Sequence, residues 1–151
     1  MITGASYGRV WQSLPFVSET PLRILLAEDD DRLAALVGTI LDGGGRFIVV
    51  GRATTGDEAV RLCAEHAPDI VLMDIGMPSG DGIAATRAIH ARDPAQHVVI
   101  YTGSDEYGDI ARADDAGAVG YLHKGALTSP DLDEALQVLH ANYISSVPHP
   151  E

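Results

Sequence analysis

The stretch Asp69-Ile70-Val71-Leu72-Met73-Asp74, continued by Ile75-Gly76-Met77-Pro78-Ser79-Gly80-Asp81-Gly82, restricts the fold more than any other part of the chain. Four apolar residues run without a break into a single carboxylate, and a turn rich in proline and glycine follows at once. Unbroken apolar character marks a strand covered on both faces, as in parallel sheets flanked by helices, and the turn ends it. Asp74 therefore stands at the carboxyl end of a buried strand, the edge at which open α/β sheets bind ligands.

The flanking segments alternate around this strand. Leu22–Ala27 reads as a first strand ending in the acids Glu28-Asp29-Asp30-Asp31. Asp30 or Asp31 caps a helix over 32–41, with Leu33, Leu36, Val37, Ile40 and Leu41 on one stripe. Asp42-Gly43-Gly44-Gly45 stops it. A second strand covers 47–50, and a helix opened by Thr55 or Asp57 runs to about Ala67. Beyond Asp74, a third helix covers 83–91 and a fourth strand covers 98–101, ending in Thr102-Gly103-Ser104. A polar helix spans roughly 107–116, and a fifth strand, 119–123, runs directly into Lys124. Ser129-Pro130-Asp131 opens a last helix carrying Leu132, Leu136 and Leu139 to about Asn142. Five strand–helix alternations imply an α/β fold, a parallel sheet with helices on both faces and right-handed crossovers.

Composition agrees. Hydrophobic residues make up 46% of the chain and aromatics only 5%, so the core is aliphatic, as in sheets covered by helices. The 151 residues divide into an N-terminal tail over 1–20, loosely held although it carries Trp11 and Phe16, one domain over 21–142, and a C-terminal tail over 143–151. A formal charge of −12 repels phosphate backbones and anionic lipid, which argues against direct nucleic-acid or membrane binding. No apolar run reaches membrane-spanning length, and the start lacks a signal-peptide pattern. The single cysteine, Cys63, forms no internal disulfide and fits a cytoplasmic setting. It shares a helical face with Ala59 and Leu62, which marks a packed thiol.

Parallel strands end on the same edge. Glu28, Asp29, Asp74, Thr102 and Lys124 therefore converge there. Several carboxylates together make the hard oxygen environment that suits Mg2+, and a lysine and a hydroxyl beside them are donors for a phosphoryl group. Taken singly, each residue reads as a cap, a turn or a surface charge; together they describe a phosphoryl-handling site. His66, His90, His97, His140 and His149 are scattered over helix ends, a loop and a tail, with no zinc-site spacing.

Ile24 to Asp30, Asp69 to Gly82 and Gly120-Tyr121-Leu122-His123-Lys124 strongly resemble the receiver domains of two-component response regulators, over about residues 21–142. The resemblance implies a flavodoxin-like, doubly wound five-stranded sheet of order 2-1-3-4-5. It implies that Asp74 accepts a phosphoryl group from a sensor histidine kinase or phosphotransfer protein in a Mg2+-dependent reaction. Asp29, Asp74 and the backbone carbonyl of Gly76 would be metal ligands, with Glu28 acting through metal-bound water. Lys124 and Thr102 would hold the phosphoryl oxygens, and Thr102 and Tyr121 would switch the surface of helix four, strand five and helix five. That surface would meet a downstream protein or a second copy of the chain. His123 reads as an edge-strand histidine with a solvated ring. Gly125, Gly76 and Ser104 stand where relatives commonly carry other residues.

On this reading the protein is a signalling module rather than an enzyme, with only its own phosphorylation and dephosphorylation as chemistry. One alternative is a fragment of a DNA-binding transcriptional regulator, since Gly-Tyr-Leu-His-Lys-Gly-Ala resembles receivers joined to such domains. The other, a Mg2+-dependent phosphohydrolase, is weakened by Gly76, which stands where the general acid of haloacid-dehalogenase-like phosphatases would be.

Overall fold

The computed structural model describes residues 20–77, 82–103 and 107–125, together with Leu132 and Leu136. Trp11 and Phe16, the turn residues 78–81, Ser104, the expected helix start at 129–131, the histidines at 140 and 149, and the C-terminal segment lie outside them.

The elements in order are β1 (Leu22–Ala27), α1 (Asp31–Gly43), β2 (Phe47–Ala53), α2 (Gly56–His66), β3 (Ile70–Asp74), α3 (Gly82–Arg92), β4 (His97–Thr102), α4 (Tyr107–Asp115) and β5 (Gly120–His123). The five strands form one sheet of order β2-β1-β3-β4-β5, and every pairing is parallel. Sheet, order and alternation agree with the expectation.

Side-chain alternation gives the sheet two apolar faces. Ile24, Leu26, Ile70, Leu72, Val99 and Tyr101 pack against Ala34, Val37 and Leu41 of α1 and against Leu132 and Leu136, both helical. Leu25, Ala27, Val71, Met73, Val98 and Ile100 face α2, α3 and α4 through Ala59, Cys63, Ile83, Ile89 and Ala113. β3 and β4 are buried along their whole length, as their unbroken apolar runs require.

Local signals account for most boundaries. Asp30 caps α1 by accepting from the Arg32 and Leu33 N–H groups at 2.9 and 3.0 Å, and Thr55 caps α2 by accepting from Glu58 N–H at 3.1 Å. Four details differ from expectation. Leu36 is 43% exposed, because the buried stripe of α1 runs through Ala34, Val37 and Leu41 instead. α1 continues through Gly43, and Gly45 takes the left-handed backbone that turns the chain. β2 extends three residues past Val50, since a register shift between Ile24 and Leu25 lets Gly51 to Ala53 keep pairing with β1. His97, expected in a loop, is the buried first residue of β4.

Cys63 is packed as expected, with its Sγ 3.5 Å from Gln96 Oε1. Burial, reinforced by the Asp93 charge, pushes the thiol up to about 11 from 9.0. At pH 8 only about 0.1% is then thiolate, against roughly 10% in an unfolded chain. A disulfide-exchange reagent is expected to label Cys63 roughly 100-fold more slowly in the folded protein than in urea. The protection holds below pH 9 and fades as pH rises toward 11. Equal rates in both states would contradict the packed thiol.

Candidate functional site

Four strand ends deliver the site. Ala27 pairs with Met73, so the next residues, Glu28 and Asp74, lie side by side beyond the paired ends. Asp74 in turn pairs with Tyr101 on β4, and Tyr101 with Leu122 on β5. Lys124, two residues after Leu122 and just past the end of β5, returns to the same face. Register alone thus brings Glu28, Asp74, Tyr101 and Lys124 onto the α1 side of the sheet edge.

Each carboxylate is held by specific donors. Asp74 is 3% exposed; its Oδ1 accepts from the Gly76 N–H at 2.9 Å and its Oδ2 from Lys124 Nζ at 3.0 Å. Glu28 is fully buried. Its Oε2 accepts from the Asp30 N–H at 3.0 Å, and its Oε1 from the Tyr101 hydroxyl at 2.9 Å and from Lys124 Nζ at 3.2 Å. Lys124 therefore bridges both acids, and its Nζ lies 5.4 Å from the Tyr101 ring centroid. Asp29 is exposed at the mouth, and one oxygen from each of Glu28, Asp29 and Asp74 falls within 4.8 Å of the others.

Electrostatics separates the two buried acids. Burial raises Asp74 above the usual carboxylate range; the Gly76 N–H and Lys124 oppose that rise, and the Glu28 charge adds to it. For Glu28 burial acts the same way, but the Asp30 N–H, the Tyr101 hydroxyl and Lys124 outweigh it and hold the carboxyl low. Burial would lower Lys124, yet Asp74 and Glu28 keep it above the ordinary lysine value. Three carboxylate oxygens this close suit a small hard cation, so the residues present fit Mg2+.

Thr102 ends β4, buried, on the opposite face from Tyr101. Tyr121, on the Thr102 side, is half-buried against the α2–α4 core and lines a groove of about 280 Å3 with Ile110, Ala113 and Ala118. Gly76 is exposed, and its N–H, already bonded to Asp74, fixes the turn there. His123 is exposed, as expected, but its Nδ1 also accepts from the Gly125 N–H at 2.9 Å.

The family model of the response regulator receiver domain matches residues 24–137. The chain belongs to the response-regulator receiver family. Among its relatives, this receiver is 37% identical over 105 residues to the response regulator UvrY of Escherichia coli K12, covering 70% of this chain and 48% of that protein. It is 39% identical over 104 residues to the transcriptional regulatory protein PdtaR of Mycobacterium tuberculosis, covering 69% and 50%. It is 38% identical over 119 residues to a protein-glutamate methylesterase/protein-glutamine glutaminase of Methanospirillum hungatei, covering 76% and 34%. The receiver thus spans about a third to a half of the length of these relatives. A two-component response regulator of the LuxR family from Aurantimonas superposes with a TM-score of 0.76 at 32% identity, covering 82% of this chain and 87% of that one. Among the described residues, no helix of the receiver is long and apolar enough to cross a membrane.

Two residues at this edge escape the sequence reading. Tyr101 passes as the end of an apolar strand, although a phenol in a fully buried run needs a hydrogen-bond partner and so signals an acceptor nearby. Arg52 lies in the unforeseen extension of β2, where its Nε donates to the Glu28 carbonyl at 3.0 Å and its Nη1 pairs with Asp31 at 2.8 Å.

Proposed function

We propose that this receiver is a phosphorylation-controlled switch in which Asp74 takes the phosphoryl group from a phosphohistidine of a sensor kinase or phosphotransfer protein. The observation that carries this reading is Lys124 Nζ, held 3.0 Å from Asp74 and 3.2 Å from Glu28 in a pocket with three converging carboxylates.

Asp74 uses one carboxylate oxygen as nucleophile. An oxygen–phosphorus bond forms, the nitrogen–phosphorus bond of the donor breaks, and its electron pair returns to the imidazole, which regains neutrality by holding a proton on one nitrogen. Glu28, Asp29, Asp74 and the Gly76 carbonyl would hold Mg2+, whose charge screens the anionic nucleophile from the anionic donor. Lys124, already on Asp74 Oδ2, is placed to follow the oxygens of the arriving group, and charge-assisted hydrogen bonds to it would be strong. Thr102 offers a hydroxyl on the other side. Movement of Thr102 toward the phosphoryl group and of Tyr121 toward the core would reshape α4 and β5, where the groove meets a downstream protein or a second receiver. A gap of a few kcal/mol between two packings is within reach of a new dianionic group.

Acetyl phosphate with Mg2+ is expected to add one phosphate to the wild-type protein by intact mass and none to Asp74→Asn. An adduct that survives in the variant, or that forms in the presence of EDTA, would overturn the assignment.

A further inference from the structure

Tyr101 has a role that its place in an aliphatic strand does not require. It is fully buried, and Val98-Val99-Ile100 before it show that apolar side chains satisfy this strand. Its hydroxyl reaches across β3 to an acid 73 residues away in sequence, and is 2.9 Å from Glu28 Oε1. Among the described residues, one other side chain holds that oxygen, the Lys124 ammonium at 3.2 Å, and the same ammonium holds Asp74.

Lys124 serves two acids and so cannot be a fixed partner of either. When it turns to a phosphoryl group on Asp74, Glu28 Oε1 loses its cation inside a pocket where Glu28 has no exposed surface. A buried carboxylate left under-bonded rotates or takes a proton. Tyr101 lies on a central strand paired on both sides, so its hydroxyl stays where it is.

We propose that the Tyr101 hydroxyl is a positioning group for Glu28, keeping its carboxylate at the metal edge both before phosphorylation and when Lys124 is drawn away to the phosphoryl group. The proposal rests on the reading of Asp74 and Lys124 given above.

Tyr101→Phe removes one atom and keeps the ring in the core. Calorimetric titration with Mg2+ alone, without phosphodonor, is expected to show binding weakened about 3- to 10-fold. In acetyl phosphate reactions the Mg2+ concentration for half-maximal rate is expected to rise by the same factor, with the rate at saturating Mg2+ within about twofold of wild type. In a Glu28→Gln background the same substitution is expected to change Mg2+ binding by less than about twofold, because the partner it serves has lost its charge. Unchanged or tighter Mg2+ binding in Tyr101→Phe would overturn the proposal. So would an equal loss in the Glu28→Gln background, which would mean that Tyr101 acts through packing. A wild-type protein that binds Mg2+ but takes no phosphate would defeat the phosphoacceptor reading, and the calorimetric comparison would still decide Tyr101. A wild type that binds no Mg2+ would defeat both.

Discussion

Replacing Gly82 by alanine is expected to cost about 2–3 kcal/mol of stability and to slow the proposed phosphorylation of Asp74 at least tenfold. Gly82 opens α3, and an added Cβ would overlap the Asp74 carbonyl oxygen and lie 2.7 Å from Ile75 Cα. Both are backbone atoms, so no rotamer change relieves the overlap; either α3 backs away from β3 or the end of β3 moves. The second response displaces the carboxylate that Gly76 and Lys124 hold. Alanine's helix propensity would return less than about 1 kcal/mol, and less still at the first helical residue. Gly38, in the middle of α1, supplies the contrast, because a Cβ added there meets nothing within 4 Å. At that position the same substitution is expected to stabilise by about 0.5–1 kcal/mol. Urea unfolding of both variants checks the two signs. A neutral Gly82→Ala would mean that α3 does not rest on the strand end that carries Asp74.

What the sequence makes legible follows from how far each signal reaches. The runs Ile24–Ala27, Ile70–Met73 and Val98–Tyr101 are buried on both faces, so their composition alone marks them as interior parallel strands, and the structure has them so. Asp30 and Thr55 are caps whose partners lie two or three residues away, which local reading captures. β2 is an edge strand, and Gly51-Arg52 breaks its apolar run; its last three residues depend on pairing with β1, which no local signal carries. Leu36 fails for a related reason. Helical spacing allows it on the stripe, but the sheet meets a narrower arc of α1 centred on Val37.

The convergence of Glu28, Asp29, Asp74 and Lys124 was legible because parallel strands put every carboxyl end on one edge. Tyr101 was not, since its burial suggests core and its acceptor belongs to a strand two places away. Register settles the matter: an acid at one strand end and a tyrosine one residue before the next strand end share a face whenever the strands are paired as β3 and β4 are. The expected switch residues Thr102 and Tyr121 fall on the opposite face, the one that α2, α3 and α4 cover. The two sides of β4 thus separate a fixed hydrogen bond beneath α1 from the groove beneath α4.

Lys124→Met is expected to lower stability by about 2–3 kcal/mol at pH 7.5 in EDTA, a buried-pair loss reduced because the lysine is 28% exposed. Methionine fills the stem's volume but leaves Glu28 and Asp74 buried side by side without their shared cation. Glu28 then loses a group that holds its carboxyl low, and Asp74 loses one that opposes its rise, so both titrate higher in the folded state. A carboxyl raised by folding is destabilising when ionised and relieved by a proton. The deficit of the variant is therefore largest above pH 7 and shrinks as pH falls toward 5. In the wild type the lysine is raised by folding, so its stabilisation is complete at neutral pH and fades only in the alkaline range above the ordinary lysine value. Mg2+ provides a second relief, because binding to the native state alone stabilises by RT ln(1 + [L]/Kd) and the variant's site carries one more net negative charge. The rise in unfolding midpoint on adding Mg2+ is expected to be larger in Lys124→Met than in wild type, while its phosphorylation by acetyl phosphate falls at least tenfold for want of the ammonium at Asp74. Urea titrations at pH 5 and 7.5, with and without Mg2+, separate these effects. A deficit that stays constant across both pH and Mg2+ would mean that Lys124 contributes only its stem, and that the two acids do not depend on its charge.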